Sequence, residues 1–426
     1  MFLVEGGHRL SGTITAAGNK NAALPILAAT LLTDEPVTLH NLPRIGDVET
    51  LLQLLGTIGA RISEIDRNTV TIETRDIRVS DLDPQLCQKI RASILLAGPL
   101  VSRHGAVRLA QPGGDSIGRR RIDTHFLALR ALGATIEIGA DGVIDFRARQ
   151  LRAANIFLDE ASVTGTENAI MGAVLAPGHT TIANAASEPH VQDLCNFLNG
   201  LGAQIGGVGT NILTIDGVER LHGGEFRISA DHIEVGSYIG LAAATGSEIL
   251  IRDAVPQHLQ MTSLTFARLG IRVEPRGDDL FVPGDQSMEV QDDLHGAIPK
   301  IDDGLWPAFP ADLTSIAVVT ATQARGTVLI FEKMFESRLF FVDKLIQMGA
   351  RIVLCDPHRV VVVGRSQLHA ETLSSPDIRA GMALLIAALA ARGTSTIHNV
   401  NQIDRGYERL DERLQALGAR IERRAG

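Results

Sequence analysis

The sequence predicts an α/β protein built from six repeated units that form two similar domains. A length of 426 residues suits two or three domains. A glycine-centred signature recurs at a regular spacing, and an apolar segment recurs with the same period. The 42 glycines also fit many short elements joined by tight turns.

The glycine signature places a glycine between apolar residues, as in I-G-A-R-I and L-G-A-T-I. The copies lie at Gly59, Gly133, Gly202, Gly270, Gly349 and Gly418, with spacings of 74, 69, 68, 79 and 69 residues. Six units of about 71 residues therefore account for the whole chain. An amphipathic stretch precedes the glycine, which predicts a helix that ends at a left-handed glycine and leads directly into a strand.

The second repeated element is apolar on nearly all sides, which predicts a buried helix. Its copies start at Asn21, Arg91, Asn168, Gly236, Thr314 and Ala380. We expect three units to share one core, which gives one domain over 21–229 and a second over 1–20 with 230–426. A cleft between two domains is a preferred ligand site. An open solenoid is the weaker alternative because its repeats usually span about 20–45 residues.

Composition excludes several classes of function. The net charge of −9 argues against a nucleic-acid partner. Three cysteines without C-x-x-C spacing predict neither disulfides nor a zinc site, and a reducing cytoplasm fits them. We also expect no signal peptide and no membrane span.

Polar residues stand where the buried helices begin. They are Lys20 and Asn21, Lys89 and Arg91, Glu167 and Asn168, Glu234, Asp312, and Asp377 with Arg379. Parallel helices would bring their positive N-terminal ends to one face, and the added cations would make it a pocket for a multiply charged anion. The alternative is that each residue only caps its helix.

The amphipathic helices have charged entries as well. These are Arg119, Arg120 and Arg121 with Asp123, Arg338 in F-E-S-R, and Asp404 with Arg405. The glycine-rich stretch around Asp115 is predicted to be a flexible loop over a site. Walker A, H-E-x-x-H and G-x-S-x-G sequences do not occur, and the histidines lack ligand spacing, so we predict no catalytic metal and no cofactor.

Several motifs together resemble the UDP-N-acetylglucosamine 1-carboxyvinyltransferase family over nearly the entire chain. They are G-N-K-N-A-A-L-P, I-R-A-S-I, P-G-G-D-S-I-G-x-R, A-S-V-T-G-T-E-N, N-A-A-S-E-P, F-P-A-D, F-E-S-R and I-D-R-G-Y-E. The resemblance implies a two-domain inside-out α/β barrel of six repeated units, the enolpyruvyl transferase fold. Motifs of the sister family in the shikimate pathway are not seen.

The resemblance also implies a reaction and a set of site residues. Phosphoenolpyruvate would donate its enolpyruvyl group to the 3′-hydroxyl of UDP-N-acetylglucosamine, the first committed step of peptidoglycan synthesis. The implied catalytic residues are Lys20, Asp115, Asp312 and Arg405. The implied substrate-binding residues are Asn21, Arg91, Arg120, Arg121, Ile122, Asp123, Thr124, His125, Ser162, Val163, Thr164, Met334, Arg338 and Arg379.

The most informative departure from the family is Asp115, which stands where the loop usually carries cysteine. Some members have aspartate there and still work, so Asp115 fits the general acid that protonates the methylene carbon. A carboxyl group donates a proton only when it is protonated, which requires burial or loop closure. The alternative is that Asp115 only caps the following helix. We predict insensitivity to fosfomycin, which alkylates the loop cysteine.

Other departures fall on the acceptor side. Arg121 replaces proline, Thr124 replaces leucine, Glu160 replaces a lysine common in some members, Thr164-Gly165 replaces Gly-Ala, Met334 replaces valine, and His190 and His232 replace charged residues. Glu160 near a diphosphate is unfavourable unless a cation such as Arg121 compensates. Two alternatives therefore stay open: a paralogue with another nucleotide or sugar acceptor, and a catalytically inactive binding protein on the same fold. The oligomeric state is left open.

Overall fold

The computed structural model describes residues 1–78, 82–115, 117–118 and 120–425. The chain divides into two compact units. The N-terminal unit contains Gly18–Asp115 and Arg120–Ser229, and the C-terminal unit contains Met1–Ala17, Ser116–Arg119 and Ala230–Gly426. Arg119 of the arginine run and Ser116 of the Asp115 loop lie outside the described residues.

The strands of the described residues are short. In chain order they are β1 Phe2–Glu5, β2 Ser11–Thr15, β3 Val37–His40, β4 Arg61–Asp66, β5 Thr69–Glu73, β6 Ala106–Leu109, β7 Thr135–Ile138, β8 Ile144–Arg147, β9 Asn155–Phe157, β10 His179–Ala183, β11 Gln204–Gly206, β12 Ile212–Asp216, β13 Gly224–Arg227, β14 Glu248–Arg252, β15 Glu274–Arg276, β16 Asp279–Val282, β17 Lys300–Asp302, β18 Gly326–Phe331, β19 Ile352–Asp356, β20 Arg359–Gly364, β21 Thr372–Ser374, β22 Thr394–His398 and β23 Arg420–Arg423. This pattern of many short strands agrees with the glycine-rich composition.

The helices alternate with these strands. They are α1 Lys20–Ala29, α2 Gly46–Thr57, α3 Pro84–Lys89, α4 Ala97–His104, α5 Asp123–Ala131, α6 Val163–Ala173, α7 Pro189–Gly200, α8 His232–Thr245, α9 Gln260–Ala267, α10 Thr314–Ala321, α11 Val342–Gln347, α12 Ile378–Ala390 and α13 Leu410–Ala416. Short 3-10 helices cover Thr30–Leu32, Arg91–Leu96, Pro256–Leu259, Leu294–Gly296, Ala311–Leu313 and Val400–Arg405. Among the described residues, no helix is both long enough and apolar enough to cross a membrane.

The sheets repeat one topology. Three sheets of the C-terminal unit have the orders β21-β22-β1-β23, β15-β16-β14-β2 and β17-β18-β20-β19, and those of the N-terminal unit are β13-β3-β5-β4, β11-β12-β10-β9 and β6-β8-β7. Each four-stranded sheet combines one parallel pair, such as β13 with β3, with two antiparallel pairs. The described part of the sixth sheet is antiparallel. The predicted repeat is therefore visible in the strand pairing.

The six signature glycines end helices as predicted. All have positive φ, between 76° and 105°. In each of the six repeats, the residue after the glycine donates its N–H to the carbonyl oxygen five residues earlier, as Ala60 does to Leu55 and Ala350 to Leu345. This is a Schellman ending, and it sends the chain directly into the next strand.

Two separate cores correspond to the two units. In the N-terminal unit α1, α4 and α6 lie in the core, and in the C-terminal unit α8, α10 and α12 pack against one another. Almost every residue of α8 and α12 is buried, which confirms the prediction of helices without a polar face. Sharing of one core by three helices is the packing expected from the sequence, not that of an open solenoid.

Candidate active site

In the N-terminal unit, Lys20 is the first residue of α1 and is held by a buried ion pair. Its Nζ lies 2.8 Å from Asp47 Oδ2, and both side chains are about one-tenth exposed or less. Asn19 caps α1 by accepting hydrogen bonds from the backbone N–H groups of Asn21 and Ala22. The helix start thus fixes Lys20, while Asp47 at the start of α2 sets the direction of its ammonium group.

Two arginines of the same unit lie together. The Arg91 guanidinium donates to the carbonyl oxygens of Arg120 and Arg121 at 2.7 and 2.8 Å. Burial and the positive charge of Arg120 lower the pKa of Arg91 to about 10. A pair of neighbouring cations is electrostatically unfavourable alone and is stabilised by an anion, so the arrangement suits a phosphate or carboxylate.

The loop that carries Asp115 lies over these arginines. A Cβ on Gly114 would come 3.0 Å from the Arg91 Cβ and 3.3 Å from Arg120 Nη1, and Gly114 has a φ of +104°. Glycine is therefore required by both the contact and the backbone conformation. Asp115 follows directly and is partly buried, so its backbone is next to the glycine that lies against Arg91 and Arg120.

Arg121 is engaged by acidic neighbours. Its guanidinium contacts Asp123 at 3.1 Å and Asp159 at 2.9 Å. Asp159 also accepts a 2.9 Å hydrogen bond from the buried Thr124 hydroxyl, and this bond together with Arg121 lowers the pKa of Asp159. Within the described residues Arg121 forms ion pairs with Asp123 and Asp159 and none with Glu160, and its compensation of the Glu160 charge near a diphosphate stays a prediction.

His125 is fully buried and links two neighbouring polar side chains. Asn168 Oδ1 accepts from Gly98 N–H at 2.8 Å, so its Nδ2 is the donor, to Ile94 O at 2.8 Å and to His125 Nδ1 at 2.7 Å. With Nδ1 accepting, the neutral ring carries its proton on Nε2, which donates to Thr164 Oγ1 at 3.0 Å. Burial, aided by Arg91, lowers the pKa of His125 to about 3.

The consequence is that the Thr164 hydroxyl accepts from His125 and keeps its own proton for another acceptor. Thr164 lies in the first turn of α6, where Ser162 Oγ accepts from Gly165 N–H at 3.2 Å and Val163 begins the helix. Backbone N–H groups at such a helix start favour anions. His125 has no exposed surface, so its route to a ligand is through Thr164. Ile122, directly before α5, is half-buried against the core.

In the C-terminal unit, Asp312 is held between two buried arginines. Asp312 Oδ1 accepts from Arg338 Nη2 at 2.8 Å, and Oδ2 accepts from Arg379 Nε and Nη2 at 3.2 and 3.1 Å. Asp312 lies at the entry to α10 and Arg379 in the first turn of α12. The sequence singled out all three residues, and the fold brings them into direct contact.

These arginines retain donors without partners. Within the described residues, Arg338 Nε and Arg379 Nη1 are buried and have no hydrogen-bond partner. An unpaired buried guanidinium N–H costs free energy, and an added carboxylate or phosphate oxygen would remove that cost. The cluster is therefore suited to an anionic ligand.

The other residues of this unit that the sequence singled out have different surroundings. Arg405 ends a 3-10 helix and donates to Gln402 Oε1 at 2.9 Å. The Arg379 guanidinium lies 5.4 Å from the ring centre of Tyr407. Met334 is an exposed residue. Asp377 is a helix cap, since it accepts from the N–H groups of Arg379 and Ala380, and this matches the alternative reading of the helix entries.

Glu234 is likewise structural. Its carboxylate pairs with Arg413 at 2.6 Å and accepts from Ala17 N–H and the Tyr238 hydroxyl. It therefore anchors α8 within the C-terminal unit. His232, in the first turn of α8, is buried in ring contact with Trp306 and His258, and burial and the neighbouring His258 lower the pKa of His232 to about 3.

Sequence reasoning missed three acidic residues that lie beside the predicted site residues: Asp47, Asp303 and Glu332. Glu332 is fully buried, with its Oε2 3.8 Å from Arg338 Nε. Burial, with a contribution from Asp303, raises the pKa of Glu332 to about 8. The only signal in the sequence was the D-D-G-L stretch before Trp306, which fits the family poorly. In the described ranges, no group of three or more acidic, histidine or cysteine side chains could hold a metal ion.

Comparison with known proteins identifies the family. A family model described as EPSP synthase (3-phosphoshikimate 1-carboxyvinyltransferase) matches residues 4–414. The UDP-N-acetylglucosamine 1-carboxyvinyltransferase of Bradyrhizobium diazoefficiens is 60% identical over 422 residues, which cover 99% of this chain and 97% of the relative. The chain belongs to the UDP-N-acetylglucosamine 1-carboxyvinyltransferase family. The enzyme of the same name from Treponema denticola is 56% identical, with coverage of 99% and 98%.

Solved structures of the enolpyruvyl transferase family share the fold. The enolpyruvyl transferase NikO from Streptomyces tendae aligns with a TM-score of 0.87 and 26% identity, covering 99% of this chain and 98% of NikO. EPSP synthase from Acinetobacter baumannii aligns with a TM-score of 0.76 and 18% identity over 99% of each chain, which shows a common fold. The predicted enolpyruvyl transferase fold is confirmed.

Proposed function

We propose that this chain transfers the enolpyruvyl group of phosphoenolpyruvate to the 3′-hydroxyl of UDP-N-acetylglucosamine and releases phosphate, the first committed step of peptidoglycan synthesis. The observation that carries the proposal is the 60% identity, over nearly the whole length, to a relative named for this activity. The chain is accordingly an enzyme, a carboxyvinyltransferase. Both proposed substrates are cytoplasmic metabolites, so the cytoplasm is the expected place of action.

The donor is a small molecule with a phosphate and a carboxylate, and both need cations. The proposed ligands for these charges are Lys20, Arg91, Arg120, Arg338, Arg379 and Arg405. The adjacent cations Arg91 and Arg120 and the unpartnered donors of Arg338 and Arg379 support this assignment. The binding energy comes from charge-assisted hydrogen bonds in a poorly solvated setting.

The reaction proceeds by addition and then elimination. The sugar oxygen bonds to C2 of phosphoenolpyruvate while C3 takes up a proton, and the 3′-hydroxyl proton goes to a base. Loss of a C3 proton then restores the double bond as the C2–O bond to phosphate breaks. We assign the acid to Asp115 and the base to Asp312, whose carboxylate the two arginines orient.

The acceptor side of the proposal uses residues of the N-terminal unit. Asn21 would contact the sugar, and Arg120 to Thr124 with Ser162, Val163 and Thr164 would surround the uridine diphosphate. His125, which is fully buried, would act on this ligand through Thr164. The start of α6 supplies N–H donors and the Thr164 hydroxyl, both suited to phosphate oxygens. Met334 is the proposed contact from the C-terminal unit.

A second candidate is transfer of enolpyruvyl to a different nucleotide or sugar. One observation favours it: Glu160 adds a negative charge to the proposed nucleotide-binding segment, where Arg121 is already paired with Asp123 and Asp159. The higher identity to relatives named for UDP-N-acetylglucosamine favours the first candidate.

Phosphate release from phosphoenolpyruvate, with and without UDP-N-acetylglucosamine, separates the candidates. We expect release that depends on UDP-N-acetylglucosamine and shows saturation. Release with another nucleotide sugar alone would select the second candidate. No release with any acceptor would select the inactive binding protein.

A further inference from the structure

Two buried carboxyl groups of the C-terminal unit have no part in the proposed reaction. Glu332 follows β18 and is 0% exposed, and Asp303 follows β17 and is 2% exposed. Glu332 Oε1 accepts from Phe335 N–H at 3.2 Å, and Asp303 Oδ1 accepts from Lys333 N–H. The other oxygens, Glu332 Oε2 and Asp303 Oδ2, are buried without a hydrogen-bond partner in the described residues.

One proton between the two side chains would satisfy both orphaned oxygens. The two side chains lie close enough for a proton on one to be donated to the other, and two negative charges so close in a buried place strongly disfavour each other. We propose that Glu332 and Asp303 share one proton and act as positioning residues that keep Arg338 on Asp312. The consequence for catalysis depends on the proposed function, whereas the shared proton does not.

The positioning follows from the surroundings of Arg338. Its Nη2 donates to Asp312 at 2.8 Å, whereas its Nε lies 3.8 Å from Glu332 Oε2, too far for a hydrogen bond. While Glu332 is neutral, Asp312 is the ionised carboxylate that Arg338 contacts. Loss of the shared proton would place a second negative charge 3.8 Å from Nε, and Arg338 would be drawn from Asp312 toward Glu332.

Several charged and titratable groups face this pair from the elements packed against it. Arg338 and Lys333 come from the segment after β18, and Asp302 from β17 pairs with Lys300 and Lys333. The His358 ring contacts the Glu332 backbone carbonyl at 2.7 Å from the turn before β20. Asp312 at the start of α10 and Arg379 on α12 complete the set, with the Thr314 hydroxyl beside Glu332. Asp303 raises the pKa of Glu332 and Arg338 lowers it.

The first test is the pH profile of kcat/KM for phosphoenolpyruvate. Glu332→Gln cannot lose a proton, so we expect near wild-type activity at neutral pH and loss of the decline at alkaline pH. Asp303→Asn removes the neighbouring charge, so we expect the decline to begin about one pH unit lower or more. Asp302→Asn, the next residue toward the N-terminus, is the matched control and should keep the wild-type profile.

The second test needs no activity. The infrared spectrum of the whole protein at neutral pH should show protonated carboxyl C=O absorption, part of which is lost in Glu332→Gln and kept in Asp302→Asn. The buried Glu167, whose pKa burial also raises, accounts for the remaining absorption. Identical bands in wild type and Glu332→Gln would overturn the shared proton, whatever substrate is turned over. If kcat/KM declined at the same alkaline pH in wild type, Glu332→Gln and Asp303→Asn, the positioning role would be overturned. Should Glu332→Gln not fold, the profile of Asp303→Asn decides alone.

Discussion

Asp115 is the residue to which we assign the chemistry of the loop. It stands where related enzymes usually carry the cysteine that fosfomycin alkylates, and it follows a glycine that touches Arg91 and Arg120. A protonated carboxyl group at this position can donate a proton to carbon, and it is not the thiol that the epoxide alkylates. Proton donation and drug sensitivity are therefore separable at this position.

We expect the wild type to keep its activity in fosfomycin, and Asp115→Cys to be inactivated progressively. The buried thiols do not interfere, because burial raises the pKa of Cys87 to about 11 and that of Cys195 to about 12, which leaves little thiolate. The exposed Cys355 is present in both wild type and Asp115→Cys, so the difference between the two proteins reports on position 115. Asp115→Asn should lose at least about 100-fold in kcat, since general acid catalysis contributes roughly that much. Rapid inactivation of the wild type would contradict the assignment.

Thr164 offers a prediction about the acceptor. Its hydroxyl proton is free to donate because His125 Nε2 occupies the oxygen as a donor. Thr164→Ala should raise KM for UDP-N-acetylglucosamine about tenfold, as expected for one hydrogen bond to a charged group. KM for phosphoenolpyruvate should stay unchanged, and Thr164→Ser should restore the acceptor KM. An equal rise in both KM values would point to a general structural defect.

At the scale of elements, the helix endings were the most predictable feature. A glycine after an amphipathic helix specifies the left-handed turn locally, so six such turns could be recognised from the sequence. The pairing of Lys20 with Asp47, and of Glu332 with Asp303, depends on packing between segments distant in the chain. No local pattern encodes these contacts, which explains why they were missed.

The starts of the buried helices show both outcomes of one pattern. Arg379 and Asp312 meet in a cluster suited to an anion, whereas Asp377 and Glu234 serve as a cap and an ion pair. Charge at a helix entry predicts that a polar partner exists. It does not distinguish a ligand from a backbone N–H group or an arginine of the same unit.

The glycine turns make a quantitative prediction. Gly59→Ala and Gly133→Ala both place a side chain at a φ near +100°, which costs about 1–2 kcal/mol. A Cβ on Gly133 meets nothing within 4 Å, but one on Gly59 would lie 2.7 Å from the Asp76 carbonyl oxygen. Urea unfolding should therefore show a greater loss of stability for Gly59→Ala. Equal losses would mean that the clash is relieved at no cost.

At the scale of the whole molecule, buried titratable groups set the dependence of stability on pH. His125 and His232 have pKa values of about 3, so the unfolded chain binds more protons below about pH 6.5, and stability falls as the pH drops toward 3. Glu332 has a pKa near 8 and burial raises that of Glu167, so stability falls as the pH rises from about 4.5 toward 8.

We therefore expect these groups to give the highest urea midpoint between about pH 4.5 and 6.5. Glu332→Gln should reduce the loss of unfolding free energy at alkaline pH by roughly 1 kcal/mol per pH unit. The reason is that the variant lacks the one proton that Glu332 holds in the folded chain and not in the unfolded chain. The acid side should be unaffected by that substitution. An unchanged alkaline slope would show that Glu332 is ionised in the folded protein.

The sixfold repeat and the fold could be read from the sequence because both depend on periodicity and on motifs spread along the chain. The domain boundaries, 21–229 and 1–20 with 230–426, stay a prediction. So do the individual roles of the site residues, since side-chain contacts establish position and not turnover.

The stoichiometry of the products decides whether the chain transfers enolpyruvyl to UDP-N-acetylglucosamine. Incubation of the purified chain with phosphoenolpyruvate and UDP-N-acetylglucosamine should yield phosphate and 3′-enolpyruvyl UDP-N-acetylglucosamine in equal amounts, measured by a phosphate assay and mass spectrometry. Phosphate formed without the enolpyruvyl product, or an enolpyruvyl group found only on a different acceptor, would contradict the account.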